Sequence, residues 1–138
     1  MAPSVEDISS IAESIVDDLP KELYKHVNKL KVQVEDFPDA FVEQEMELET
    51  PFDLLGCYQS AGPAAIGNLA KNSKRQDTLF LYRRPILDAW AETGEDLARI
   101  VNRVIIQEIG HHFGFSQGEI EMYEEDAFGA TATNEGTG

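Results

Sequence analysis

The stretch from Val101 to Ile120, VNRVIIQEIGHHFGFSQGEI, decides how this chain folds. Apolar residues recur in it, and just before it, at the three- and four-residue spacing of a helix with one buried face. Gly114 predicts the end of this helix, because glycine readily adopts the left-handed conformation that closes helices. We therefore expect one long helix with a carboxylate and two histidines near its end. The helical period is followed by Leu97, Ile100, Val101, Val104, Ile105 and Glu108.

The segment QEIGH at 107–111 is one residue short of the HExxH signature of zinc proteases. In that signature two histidines on one helix face bind one zinc ion, and the glutamate acts on the zinc-bound water. Here Glu108 has the position of the base and His111 that of the second ligand, but Gln107 replaces the first histidine. Gln117 has the position of the third ligand in the longer signature. A glutamine oxygen is a far poorer zinc ligand than an imidazole, so zinc binding should be weak or absent.

The segment VIIQEIGHHFGFSQGEIE resembles the small zincin-like metallopeptidase family of bacteria, whose members typically read HEIGHHFG followed by an acidic residue. Upstream, the LLG-x-Y stretch at 54–58, the LYRRPI segment and the acidic start of the motif helix agree with that family, from roughly Leu19 to Tyr123. The resemblance implies zinc-dependent peptide hydrolysis with Glu108 as general base and His111 as a metal ligand. It also implies a minimal zincin fold.

Three interpretations of this site remain open. The first is a metallopeptidase with weak or altered metal binding. The second is a degenerate, metal-free zincin that uses the former substrate cleft to bind a peptide or protein segment. In the third, Glu108 and His111 only stabilise the packing of the helix. Ion chemistry favours the second and third, whereas the family favours the first. The candidate metal ligands are His111, Gln107, Gln117, Glu119 and Glu121.

Three segments are predicted strands: KVQVED from Lys31, LLGCYQ from Leu54 and LFLYRR from Leu79. We expect them to form a short mixed sheet of an α+β domain, with the motif helix packed on it and Glu108 facing a cleft. Gly56 interrupts LLGCYQ, which predicts an edge strand. An extended peptide lying beside this edge would add a strand to the sheet.

The remaining helices are predicted from caps and apolar stripes. Ser4 begins the first helix, a second runs from Pro20 to Leu30, and Asp39 begins a short acidic one. Pro85 begins a helix that Gly94 ends, with Trp90 as a core anchor. The last helix has its apolar positions at Ile120, Tyr123 and Phe128, and His26 is expected to face solvent with no metal role. A loop between Thr50 and Asp77 has the main basic cluster, at Lys71, Lys74 and Arg75.

Length and composition predict one domain, at residues 1–128, with a disordered tail at 129–138. The net charge of -15 argues against nucleic acid and anionic membranes as partners. The single cysteine, Cys57, excludes an intramolecular disulfide and is typical of a reducing cytoplasm. We find no signal-peptide pattern and no apolar run of about 20 residues. A cytoplasmic protein with a peptide or protein partner is therefore expected, and its oligomeric state is left open.

Overall fold

The computed structural model describes residues 2–27, 29–61 and 76–126 of the chain. The predicted tail at 129–138 and the basic cluster at Lys71, Lys74 and Arg75 lie outside the described residues, as does Phe128. The single-domain boundary at 128 therefore stays a prediction.

Helices and three strands make up the described part of the chain, which confirms the predicted α+β class. The helices are α1 (Val5–Asp17), α2 (Lys21–Val27), α3 (Ala40–Glu45), α4 (Arg83–Thr93), α5 (Leu97–His112) and a last helix, α6, described over 117–126. A 3-10 turn covers Pro51–Asp53, and the strands are β1 (Lys31–Glu35), β2 (Gly56–Gln59) and β3 (Thr78–Tyr82).

The sheet has the order β1-β3-β2, with β1 parallel and β2 antiparallel to β3. Every residue of β3 is buried, which suits its run of β-branched, aromatic and leucine side chains. The predicted mixed sheet is thus confirmed. So is the placement of the LLGCYQ segment at an edge of the described sheet.

The core lies between the sheet and the pair of helices α1 and α5, which also contact each other. Helix α1 begins at the predicted cap, where the Ser4 hydroxyl accepts the Asp7 N–H and the Asp7 carboxylate accepts the Ser4 N–H. This reciprocal pair satisfies two amide groups that have no partner within the helix. The fully buried side chains of the core include Ile8, Leu23, Leu79, Leu81, Ile86, Ile100, Ile105, Ile109 and Ile120.

Helix α5 ends as its sequence predicts. Gly114 has a φ of +79°, the Phe115 N–H donates to the Gly110 carbonyl at 2.8 Å, and the Gly114 N–H donates to the His111 carbonyl at 3.4 Å. This is the Schellman arrangement, which satisfies the last carbonyls of the helix and reverses the chain. The reversal places α6 against α5. There Ile120 lies so close to Gly110 that a Cβ at this position would be 2.5 Å from the Ile120 Cγ1.

Three details of the predicted helices are wrong. Trp90 is 36% exposed and is not a core anchor, because α4 buries only its first turn, at Pro85 and Ile86. Helix α4 also begins two residues before Pro85, which is tolerated because amides of a first turn have no partner within the helix. Helix α2 ends at Val27 rather than at Leu30.

Gly56 allows α5 to approach β2 closely. A Cβ at Gly56 would lie 2.6 Å from the Val104 Cγ1 and 3.1 Å from the Phe80 carbonyl oxygen. Val104 is stiff at χ1 and belongs to the core, so it has little freedom to move away. The absence of a side chain at Gly56 therefore sets the spacing between the helix and the strand.

We predict that Gly56→Ala lowers the free energy of unfolding by about 1–3 kcal/mol, because the added methyl overpacks this contact. Urea denaturation of the wild type and the variant measures the change. Gly118→Ala, within α6, is the matched control. A Cβ there meets nothing within 4 Å, and alanine is favoured over glycine in a helix by roughly 0.5–1 kcal/mol. Equal losses in the two variants would contradict the prediction.

Candidate functional site

Glu108 reaches the edge strand from the last turns of α5. It lies one helical turn after Val104, and Tyr58 lies two residues after Gly56, so the close contact at Gly56 sets both positions. The Glu108 carboxylate accepts the backbone N–H of Tyr58 at 3.3 Å. The helix and the strand are thus joined by a hydrogen bond from backbone to side chain.

The Tyr58 N–H faces away from β3. The Tyr82 N–H donates to the Leu55 carbonyl at 3.0 Å, so Leu55 and Tyr82 form a hydrogen-bonded pair of the antiparallel ladder. Such pairs alternate along the two strands, so Cys57 and Gln59 also bond to β3, whereas Gly56 and Tyr58 present their amides outward. The Glu108 carboxylate therefore accepts from the Tyr58 N–H, which would otherwise be available to an additional strand.

The pKa of Glu108 is raised above the ordinary glutamate value. Burial is the largest cause, because it penalises the charged carboxylate. The Tyr58 N–H and the nearby His111 act in the opposite direction and lower the pKa less. The Glu108 carboxyl is accordingly a better base than an exposed glutamate at the same position would be.

Of the other predicted site residues, His111 and Gln107 contact α6, and Gln117 lies in its first turn. The His111 Nε2 lies 3.5 Å from the Gln117 Oε1, and the Gln117 Nε2 donates to Glu121 at 3.2 Å. The Gln107 Nε2 donates to Glu124 at 3.2 Å. The structure thus brings His111, Gln117 and Glu121 together, while the amide of Gln107 is engaged by a carboxylate of α6.

Glu119, another candidate ligand, has a capping role. Its carboxylate accepts the Ser116 N–H at 2.9 Å, and the Ser116 hydroxyl accepts the Glu119 N–H at 3.1 Å. This reciprocal pair begins α6 in the same way as Ser4 and Asp7 begin α1.

His112 stacks on the ring of Tyr58, with centroids 4.1 Å apart, and its Nε2 lies 3.0 Å from the Ser60 hydroxyl. The Tyr58 hydroxyl donates to Asp77 at 2.6 Å, and burial followed by this bond raises its pKa, so it remains a donor. His112 therefore packs the end of the helix against β2.

His26 is exposed, as predicted, but it also stacks on Phe113 with centroids 4.7 Å apart. It therefore supports the turn that follows α5. Sequence reasoning gave no role to Tyr58, Ser60, Asp77 or Glu124. Of these residues, only Tyr58 lies in a segment that the family resemblance singles out, the LLG-x-Y stretch.

A family model described as zincin-like metallopeptidase matches residues 27–127. The chain belongs to the zincin-like metallopeptidase family. This confirms the family that the resemblance indicated. Comparison with curated proteins gives no match.

Among solved structures, this zincin-like chain is similar to a conserved hypothetical protein from Thermus thermophilus. The two are 20% identical over 80% of this chain and 94% of that chain, with a TM-score of 0.52. At this identity the likeness shows a shared fold. In the described residues, no helix is both long and apolar enough to cross a membrane.

The donors at this zincin-like site do not fit a tight zinc site. Among the described residues, no three histidine, cysteine or acidic side chains are placed to hold one ion. The positions of the signature hold one imidazole, from His111, and the amides of Gln107 and Gln117. Of the other candidate ligands, Glu119 accepts the Ser116 N–H and Glu121 accepts the Gln117 amide. Structural and catalytic zinc sites use imidazole, thiolate and carboxylate ligands, and neutral amides bind zinc poorly.

We predict that Glu108→Gln is more stable than the wild type at neutral pH, because glutamine still accepts the Tyr58 N–H but does not bury a charge. Folding raises the pKa of Glu108. The protonated carboxyl therefore stabilises the fold fully when the pH is below the ordinary glutamate pKa, and this stabilisation is lost as the pH rises through the raised pKa of the folded state. The advantage of the variant should therefore shrink toward about pH 4.

Urea unfolding of both proteins from about pH 4 to about pH 8 measures this difference. Glu13→Gln, on the exposed side of α1, is the control, and we expect it to follow the wild type. A difference for Glu108→Gln that stays constant across the range would contradict burial of a titrating carboxyl.

Proposed function

We propose that this zincin-like protein binds an extended peptide or protein segment beside β2, and that zinc-dependent peptide hydrolysis is not its main activity. The observation that carries the proposal is the outward N–H of Tyr58, which is satisfied by the side chain of Glu108 rather than by a strand. A side-chain acceptor can be displaced by a peptide carbonyl without breaking the sheet. The acidic charge of the chain and its single cysteine support a protein partner in the cytoplasm.

The Glu108 carboxylate would accept the hydrogen bond that the backbone of an added peptide strand accepts in the complex. In the free protein this carboxylate satisfies an edge amide that no strand in the described part of the chain pairs with. When a peptide pairs with Gly56 and Tyr58, its carbonyl takes over the Tyr58 N–H, and the Glu108 carboxyl is released toward the peptide backbone. Because the pKa of Glu108 is raised, its protonated form is more available than usual as a donor to a peptide carbonyl.

The ligand positions also support a role without zinc. Gln107 replaces an imidazole, and its amide already donates to Glu124. Gln117 replaces the third ligand and donates to Glu121. Both substitutions exchange a metal ligand for a neutral group that donates to a carboxylate of α6. The scaffold of the family would thus be kept while its ion is lost.

Weak zinc-dependent peptide hydrolysis, with Glu108 as general base and His111 as ligand, is the second candidate function. The proximity of His111 and Gln117, at 3.5 Å, favours it. The raised pKa of Glu108 also suits a general base, since the best base titrates near the working pH.

The main proposal predicts peptide binding in the presence of EDTA. A positional-scanning library of blocked hexapeptides is titrated into isotope-labelled protein, and the backbone amide of Tyr58 is followed by NMR. We expect a saturable shift of this amide, because a peptide carbonyl replaces the Glu108 carboxylate. The matched control is the best hexapeptide with alternate backbone nitrogens methylated, which cannot complete a strand ladder.

Equal binding of the methylated peptide would contradict strand addition. Cleavage of the hexapeptides that requires added zinc and disappears in Glu108→Gln would instead favour the second candidate.

We also predict that Gln107→His raises the affinity for zinc by more than about tenfold, because it supplies a second imidazole four residues before His111. A competition titration with a chromogenic chelator measures the affinity. The double variant Gln107→His/His111→Ala is the control and should return to the affinity of the wild type. An unchanged affinity in the single variant would show that Gln107 is not the position that limits metal binding.

A further inference from the structure

A cavity of about 280 Å³ lies between the first half of α5 and helix α6. It is separate from the contact between Glu108 and β2, because it opens on the face of α5 that carries Arg103 and Gln107. These two residues are one helical turn apart. Glu124 lines the cavity and also accepts the Gln107 amide, so the cavity adjoins the altered ligand position.

Asn102 lines this cavity and is 2% exposed. Its side-chain amide forms no hydrogen bond with any residue in the described part of the chain. Asn102 also lines a second cavity, with Ser14, Asp18 and Ile106. Its amide borders open space rather than apolar atoms alone, so its hydrogen bonds are completed by whatever fills that space.

The charges around the cavity indicate what kind of chemical group would bind in it. Helix α6 contributes the carboxylates of Glu121, Glu124 and Glu125. On the other wall, Arg103 donates through both terminal nitrogens to Glu95, at 3.0 Å each, so its charge is compensated within the protein. Arg99 is the other cation of the lining. The three carboxylates of α6 therefore exceed the cations in the lining that they share with Asn102.

We propose that this cavity binds the basic side chain, arginine or lysine, of the segment that lies beside β2. This rests on the proposed peptide-binding function. A guanidinium or ammonium group has only donors. The Asn102 oxygen can accept one of them, and the carboxylates of α6 can accept the others. A cavity of about 280 Å³ falls just below the usual ~300–1,000 Å³ of small-molecule sites, so it suits a single side chain.

The cavity can be tested without any peptide. N-acetyl-L-arginine N-methylamide is titrated into isotope-labelled protein, and the side-chain NH₂ signals of Asn102 are followed by NMR. We expect a saturable shift. The citrulline analogue, which has nearly the same shape but no charge, should bind at least tenfold more weakly. Equal binding of the two probes, or no shift at Asn102, would overturn the proposal.

Two variants separate binding from folding. Asn102→Leu removes the amide oxygen that would accept from the probe, so it should lose the arginine probe while remaining folded, which thermal unfolding checks. Glu124→Gln should weaken binding of the arginine probe at least threefold, whereas Glu13→Gln should leave it unchanged. Probe binding that survives in Asn102→Leu would overturn the proposal.

The two proposals can also fail separately. The arginine probe reports at Asn102, whereas the hexapeptides report at the Tyr58 amide. A charge-dependent shift at Asn102 without any hexapeptide effect at Tyr58 would support binding of a basic side chain in the cavity and reject strand addition at β2. A hexapeptide effect at Tyr58 with no preference for a basic residue at any position would reject the pocket alone.

Discussion

The close contact between α5 and β2 at Gly56 governs where the polar groups of the site lie. Because Gly56 has no side chain, the Val104 turn of the helix approaches the strand, and the next turn brings Glu108 to the outward N–H of Tyr58. The same spacing lets His112 stack on Tyr58. A larger residue at this single position would move the helix and with it the whole site.

At the C-terminal end of α5, two glycines place α6. Gly114 reverses the chain in a left-handed conformation, and Gly110 leaves room for the buried Ile120. In a zinc protease such a reversal delivers a further ligand. Here it brings Gln117 to His111 and the Glu124 carboxylate to the Gln107 amide, while Gln117 donates to Glu121 within α6.

Much of the fold could be predicted from sequence because its signals are local. The apolar period of α5, the cap at Ser4 and the strand formers of β3 each depend on neighbours a few residues away. Trp90 was misplaced because periodicity gives the face of a helix but not where the helix leaves the core. The bonds of Glu108 to Tyr58 and of Gln107 to Glu124 join residues distant in sequence, and no local pattern predicts them. The missing first histidine, in contrast, was visible at once.

Peptide binding without catalysis requires that this zincin-like site works without zinc. Elemental analysis of protein purified without added metal or a nickel column, repeated after zinc addition and dialysis, tests it most directly. The account predicts far less than one zinc per chain in both samples, because His111 is the only imidazole at the ligand positions. Near-stoichiometric zinc that survives dialysis would contradict it, and would mean that the glutamines or a carboxylate of α6 complete a metal site.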